Sequence, residues 1–593
     1  MEWDGMSKRS DRKISRRDIL RTVVGAAAVG AAGLAIPSAT AQQSSSNEKI
    51  DVIIAKTRPI TDPACHDPGL APGVRVQDGM RIERDVAVKM RDGVTIYVDI
   101  YRPDGANTNL PAIVSYASGK EPQDRERRGV PHHGGSEWSL YDVSKYAMGE
   151  GPDPVYWCKY GYAIVNTDYR GARHSGGIGQ LYGTQGGRDV HDLVEWLAAQ
   201  DWSNGKIGMA GNSQLATWQW VGAAEEPPHL AAIAPWEGWT DLYRQIVCPG
   251  GIPEVGVRSG AIRNWCGGDG VEDVIAMIHK YPFMNSYWED KIARLDKIKV
   301  PAYITANFKH WHLLGSLNAF RQIPVRDKWL RFINNQEWPD FYALPQMDDL
   351  RSFFDHYLKG IDNEWLTTPR VRLCVLDPGG LDQINRPEKE WPLARTRYER
   401  LYLDASDGTL SSQPIQKESQ ARYASQTGQA NFVVKFDRDT ELTGYFKLRL
   451  WVEAADANDM DLFIYVQKLD HKGNFLPSLI LGHPHPGAQG WLRVSHRELD
   501  PNRSTPSEPF LTHRHQQLIR PKEIVPVEIP IWPTGMLWHA GQQLRVVVSG
   551  HYIDTRGPDW WEKFKFDAQN HGDHIIHTGG KYDSHLLVPI IRA

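Results

Sequence analysis

The segment KIGMAGNSQLATWQW, residues 206–220, sets a hydroxyl between an apolar run and a helix-forming run. Ser213 stands at the junction, with Gly211 two places before it and Leu215 two places after. A serine at a sharp strand-to-helix turn holds its Oγ clear of the sheet, and the following backbone N–H points where an oxyanion would form. The implied chemistry is attack on a carbonyl, which requires a base within hydrogen-bond reach of the serine proton. Gly211 suits a crowded turn, whereas Leu215 departs from the GxSxG pattern. The alternative role for Ser213 is a helix N-cap in an α/β domain without activity.

Positioning such a serine takes a sheet, and residues 81–359 carry one in their pattern. GVTIYVDIYRP, LPAIVSY, YAIVNTDYRG, KIGMAGN, HLAAIAPW, VPAYITANF and DKWLRFIN read as strands. Between two of them, GGRDVHDLVEWLAAQ puts Val190, Leu193, Val194 and Leu197 on one helical face. Apolar runs alternating with helices predict a mostly parallel sheet covered on both faces. From Glu237 to Lys299 the strand rhythm stops and TDLYRQI, GVEDVIAMIHKYP and YWEDKIARLDKI read as an inserted helical cap. Beyond RSFFDHYLKGID, a series of strands with turn-rich spacers predicts an all-β sandwich.

The chain has 593 residues, 10% of them aromatic and 22 of them Trp, enough for more than one buried core. Lys and Arg number 68 against 72 Asp and Glu, and no long basic tract occurs, which argues against nucleic acid as a partner. At the start, Arg16-Arg17 precede an apolar stretch from Val23 to Ile36 and an Ala39-Thr40-Ala41 site. This is the pattern of a cleaved twin-arginine leader over residues 1–41, with a mature start near Gln42 and no lasting membrane insertion. The expected location is periplasmic or secreted. Five cysteines without a CxxC pair indicate neither a disulfide framework nor a zinc knuckle; Cys248 and Cys266 are the pair considered, and the rest are read as buried thiols.

Several longer segments carry a family resemblance: MRDGVTIYVDIYRP, VNTDYRGARHSGG, GGRDVHDLVEWLAAQDWSNGKIGMAGNSQLATWQW, AIAPWEGWTDLYRQIVCPGGIPE, GSLNAFRQI, FFDHYLKG and PIWPTGMLWHAGQQLRVVVSG. Together they resemble the CocE/NonD, or cocaine esterase-like, serine hydrolases, relatives of the X-Pro dipeptidyl peptidases and the α-amino acid ester hydrolases. The resemblance spans nearly the whole mature chain. It implies an α/β-hydrolase core over 81–236 and 298–362, with a helical cap at 237–297. A segment at 42–80 precedes the core, and a C-terminal jelly-roll (galactose-binding-like) sandwich covers 363–593. It implies cleavage of a small ester or amide with no cofactor. Ser213 falls on the family nucleophile and Tyr116 on a tyrosine whose hydroxyl helps form the oxyanion hole. The second donor is then the backbone N–H of Gln214, where relatives usually have Tyr.

The proton relay departs from that pattern. The family acid follows the strand matching PAYITANF, where this chain reads NFKHWHLLGS, with Lys309 and His310 and no carboxylate. The family histidine follows the next strand, where WLRFINNQEWPDFY offers Ile333, Asn334 or Glu337. Three outcomes stand open. One is a rearranged relay with His310 as base and Glu337 as its carboxylate, His312 as a substitute base and Glu237 or Asp241 as alternative carboxylates. The second is a scaffold kept for ligand binding without hydrolysis. The third is another reaction on the same oxyanion donors, such as acyl transfer or a lyase-like proton shift. Metal is not expected: His310/His312, His132/His133 and His571/His574/His577 lack HExxH spacing and cysteine companions. Asp168 and Arg170 read as a structural ion pair, and Trp236, Trp239, Trp265 and Trp288 as walls of an aromatic or bulky apolar pocket.

Overall fold

The structure, a computed structural model, describes residues 50–105, 108–117, 143–257, 262, 264–557 and 563–591. The leader and the His132/His133 pair lie outside these residues.

The apolar runs of the first half form one sheet of eleven strands. Its middle strands run Ala163–Asp168, Leu110–Ser115, Ser203–Asn212, Leu230–Trp236, Ala302–Ala306, Lys328–Phe332 and Val371–Val375. Each of these neighbours is paired in parallel. Thr95–Pro103, Met80–Lys89 and Gly73–Gln77 extend one edge and Gln383–Glu388 the other, all antiparallel. The pleat sends Ala112 and Val114 into one core and Ile113 into another, so both faces are buried. The helix Thr184–Ala198 covers the first face with Val190, Leu193, Val194 and Leu197, all wholly buried. The helix Leu344–Lys359 covers the second with Leu350, Phe353, Phe354 and Leu358. This is the mostly parallel sheet covered on both faces that the periodicities predict, and the α/β-hydrolase core that the resemblance implies.

Two boundaries differ from expectation. Val371–Val375 and Gln383–Glu388, read as the opening of the second domain, hydrogen-bond to the edge of the hydrolase sheet instead. Gly73–Gln77, read as part of a preceding segment, pairs onto the opposite edge. Buried and edge strands share the same local pattern, so periodicity alone does not assign them to a sheet.

The inserted segment folds into short pieces, among them helices Val274–Lys280 and Ser286–Asp290 and a π-helical turn at Tyr243–Val247. Val271–Glu272 pairs with the N-terminal strand Ile54–Ala55. A disulfide joins Cys65 to Cys266 beside that pairing, while Cys158, Cys248 and Cys374 are buried free thiols. The sequence left the disulfide state open with Cys248 and Cys266 as the pair considered, and the partner of Cys266 is Cys65 instead. The two cysteines are 201 residues apart and meet only because the N-terminal strand lies along the cap.

The second domain is a second eleven-stranded sheet. Thr440–Ala454 pairs with Val525–Trp538, with Asp573–Thr578 and with His585–Ile591, which closes the sheet into a barrel-like sandwich. Among the described residues no helix is long and apolar enough to cross a membrane.

Candidate active site

Strand register assembles the site. Asn212 lies opposite Trp236, Trp236 opposite Thr305, and Ala306 opposite Phe332. Four strands therefore end together, and the residues that follow them share one carboxyl edge, where open α/β sheets bind ligands. Ser213 follows the first strand and Glu237 the second. His310 and His312 follow the third, and Glu337 follows the fourth.

The serine turn is strained. Ser213 has φ 57° and ψ −120° and is followed at once by the helix Gln214–Ala223. A non-glycine residue held there costs about 1–3 kcal/mol, which the surroundings must offset. They do so through its backbone: Ser213 N–H donates to the carbonyls of Glu237 at 2.9 Å and Trp236 at 3.2 Å, and its own carbonyl accepts from Thr217 N–H. Glu237, its neighbour across the sheet edge, also sits at positive φ, 59°. Gly211 has φ 137°, and a Cβ there would come within 2.6 Å of Leu215 Cδ2 and 2.9 Å of the Glu150 carbonyl, so a side chain is excluded.

The imidazole that reaches the serine is His312. Its Nε2 lies 3.4 Å from Ser213 Oγ. The ring stacks on Trp239 at 4.9 Å and on Trp311 at 5.2 Å, which restrains its plane. His310, expected as the base, stands one step behind, 4.4 Å from the His312 ring between centroids. Its Nδ1 is 2.9 Å from Glu237 Oε2 and its Nε2 is 3.5 Å from Glu337 Oε2. The two histidines sit just before the helix Leu313–Gln322, in a turn where the His310 N–H donates to the Asn307 carbonyl. Residues two apart in such a turn aim differently, and that decides which ring meets the hydroxyl. His310, the expected base, lies between the two carboxylates. Asp241 is removed from the site, since its carboxylate pairs with Arg244 at 2.9 Å.

Burial sets the electrostatics. Glu237, His310, His312 and Glu337 are all at most 4% exposed. Burial first, then the charges of Glu237 and Glu150, hold the Glu337 carboxyl well above the ordinary carboxylate range, with His310 opposing. Asn212 Nδ2 donates to the Glu337 carbonyl, and Gln336 accepts from Trp338 N–H, which fixes the loop. Glu150, for which the sequence carried no signal, accepts from Trp338 Nε1 at 2.8 Å.

Tyr116 caps the strand Leu110–Ser115, next to the serine strand, and its ring is 5.9 Å from Tyr169 and 5.4 Å from Trp218. Its hydroxyl is buried and has no hydrogen-bond partner among the described residues. Burial raises its pKa well above the usual phenol value, so the proton stays available for donation. Gln214 opens the helix with its N–H at the helix N-terminus.

Other sequence candidates lie elsewhere. Lys309 is buried beside His310, yet its ammonium donates to the carbonyls of Asn334 and of Leu479 in the second domain, the latter at 2.7 Å. Burial lowers its pKa. The carboxylates on Arg170 are Asp189 and Asp92, not Asp168. His574 contacts Tyr423 and Asn570, and His577 contacts Glu453, all within the β domain. Trp236 and Trp288 are core residues. The cavity beside the site is lined instead by His310, Trp311, Trp491, Trp532, Tyr552 and Phe566, so its aromatic wall comes largely from the second domain.

Comparison with known proteins agrees with this architecture. Residues 92–260 match the model of the X-Pro dipeptidyl-peptidase (S15 family), and residues 363–587 match the X-Pro dipeptidyl-peptidase C-terminal non-catalytic domain. A crystal structure of a CocE/NonD family hydrolase from Staphylococcus aureus is 35% identical, with a TM-score of 0.82, covering 88% of this chain and 97% of that one. The chain belongs to the CocE/NonD family of serine hydrolases. Cocaine esterase of Rhodococcus sp. (strain MB1 Bresler) is 24% identical over 87% of this chain and its own full length. An α-amino acid ester hydrolase structure, 16% identical with a TM-score of 0.63 over 88% of this chain, shares the fold. Within the CocE/NonD pattern described above, the loop that would hold the acid here carries two histidines, and the loop that would hold the histidine carries Glu337.

Proposed function

We propose that this chain is an exported hydrolase of small esters or amides that works through an acyl-enzyme on Ser213 with a rearranged relay. The observation that carries the reading is the His312 Nε2 at 3.4 Å from a serine hydroxyl held in a strained elbow. Neutral His312 accepts the Ser213 proton as Oγ attacks the carbonyl carbon, and the carbonyl π pair moves onto oxygen. The Tyr116 hydroxyl and the Gln214 N–H receive that charge. The imidazolium formed on His312 lies beside the Glu237–His310–Glu337 group. The oxyanion pair then re-forms the C=O bond, the bond from the carbonyl carbon to the leaving oxygen or nitrogen breaks, and His312 gives that atom its proton, which leaves the acyl group on Oγ. Water repeats the sequence in reverse, and Ser213 is restored.

Export by the twin-arginine leader, with cleavage after Ala41, belongs to the same reading. The Cys65–Cys266 disulfide supports it, because such bonds persist in oxidising compartments. The test is covalent labelling with a fluorophosphonate probe. Wild type labels at Ser213, Ser213→Ala abolishes labelling, and His312→Ala slows it by about 10²–10⁴, the range of a positioned general base. A wild-type protein that neither labels nor turns over aryl esters would leave the second reading, a ligand-binding scaffold without hydrolysis.

A further inference from the structure

The group behind the serine has the composition of a metal site. Glu237, His310, His312 and Glu337 each offer one donor atom, and these four atoms lie within 4.8 Å of one another. They come from three separate loops, so no spacing along the chain announces them; the strand register brings the two glutamates to the two histidines. HExxH spacing places its ligands on one helix, and this set is not built on one.

Charge makes the case stronger. Two carboxylates share a buried space walled by Trp239, Trp311 and Trp338, whose side chains are largely removed from water. Placing two negative charges there is costly unless positive charge accompanies them. The Lys309 ammonium is turned toward main-chain carbonyls. Protons can fill the need, and so can one divalent ion, since two carboxylates and two neutral imidazoles balance a charge of plus two. The donor types select among ions. Calcium and magnesium want six or more oxygens. Mixed imidazole and carboxylate donors at four positions suit zinc and its first-row neighbours. Tetrahedral ligation spaces donors about 3.3 Å apart, so the side chains would close by up to about 1.5 Å on binding.

We propose that Glu237, His310, His312 and Glu337 form a site for one divalent transition-metal ion of zinc type, and that its binding withdraws His312 from Ser213 and makes the hydrolase latent. The coupling follows from electron pairs. A neutral imidazole has one basic lone pair. If Nε2 ligates, the pair that faces Ser213 Oγ is taken. If Nδ1 ligates, the remaining ring proton sits on Nε2, which then donates to Oγ and cannot accept from it. In both arrangements the serine keeps its proton. Ions bound at this place displace protons held on the carboxyl groups to solvent, and no oxidation or reduction takes part. The binding half of the proposal stands by itself, while the latency half rests on His312 as the base of Ser213.

The experiment uses the full mature chain, stripped with a chelator and dialysed. Cobalt is titrated and followed by the visible absorption of tetrahedral Co(II), and zinc is titrated by calorimetry. The rate of fluorophosphonate labelling at Ser213 is measured in stripped and zinc-loaded protein. The expected result is one ion per chain, a tetrahedral cobalt spectrum, and labelling slowed at least tenfold by one equivalent of zinc and restored by chelator. Glu337→Gln and His310→Ala should weaken the ion by more than the about 10–100-fold typical of outer-sphere changes. The wild-type titration decides the matter even where a variant folds poorly. Failure of stripped wild type to bind, or binding undiminished in both variants, overturns the site. Binding that leaves labelling unchanged overturns the latency. Absence of labelling in the stripped form defeats the hydrolase reading instead, and the titrations still decide the ion.

Discussion

At the scale of single residues, the site is governed by what burial does to ionisable groups. The Glu337 carboxyl, held well above its ordinary range by burial, gives a pH signature whose sign can be worked out. A carboxyl with a raised folded pKa contributes fully below its unfolded value of about 4.3. As pH climbs from there, the unfolded chain ionises while the folded chain keeps its proton, and stability is lost. Glu337→Gln removes that loss. The melting temperature of metal-free wild type should therefore fall relative to Glu337→Gln over the pH window above that unfolded value. A difference that is flat across that window would show the carboxyl to be ionised in the fold. The position of Ser213 at a strand-to-helix turn was legible in the sequence at this scale, because an apolar strand run meets a helix-forming run there. The choice between His310 and His312 was not legible. It depends on the direction of two side chains in one turn, which residue types do not encode.

At the scale of elements, the contact between Ser213 and His312 depends on how closely two backbones approach. The helix Leu313–Gln322, which begins next to His312, packs on the segment after Glu237 through Gly315. A Cβ at Gly315 would lie 2.2 Å from the Gly238 carbonyl oxygen and 2.3 Å from Trp239 Cα. Neither neighbour is a flexible side-chain end, so the helix itself must shift. Gly315→Ala is expected to cost about 1–3 kcal/mol by overpacking. It should also cut the labelling rate of Ser213, because the shift carries His312 away from a contact that is already 3.4 Å long. Unchanged labelling in a folded Gly315→Ala protein would show that helix and imidazole move independently. The central strands and the helix Thr184–Ala198 were readable from periods of two and 3.6 residues. Strands such as Val371–Val375 and Gln383–Glu388 were placed in the wrong sheet, since register is a property of pairs and not of one segment.

At the scale of the whole molecule, the second domain and the cap are locked to the hydrolase core around the site. Arg244 of the cap donates to the carbonyls of Leu511 and Thr512, and Glu254 bridges to Phe566. Gly250 lies so close to the second domain that a Cβ would be 2.1 Å from the Trp491 carbonyl oxygen. The disulfide between Cys65 and Cys266 adds a covalent tie across a loop of 201 residues. Removing it by reduction, or by Cys65→Ser with Cys266→Ser, should lower stability by about 2–5 kcal/mol, read as a lower melting temperature in the reduced protein. Equal melting with and without reductant would mean that strand pairing alone holds the N-terminal segment. The two-domain plan was visible from composition and strand rhythm. The tie was not, because its partners are distant in sequence and are brought together by a two-residue strand at each end.

That bond also changes what the chain is topologically. From Cys65 to Cys266 the backbone and the sulfur bridge make a closed ring that contains both Tyr116 and Ser213. A single scission anywhere on the ring opens it without shedding a fragment, so Ser213 and Tyr116 stay on one covalent body.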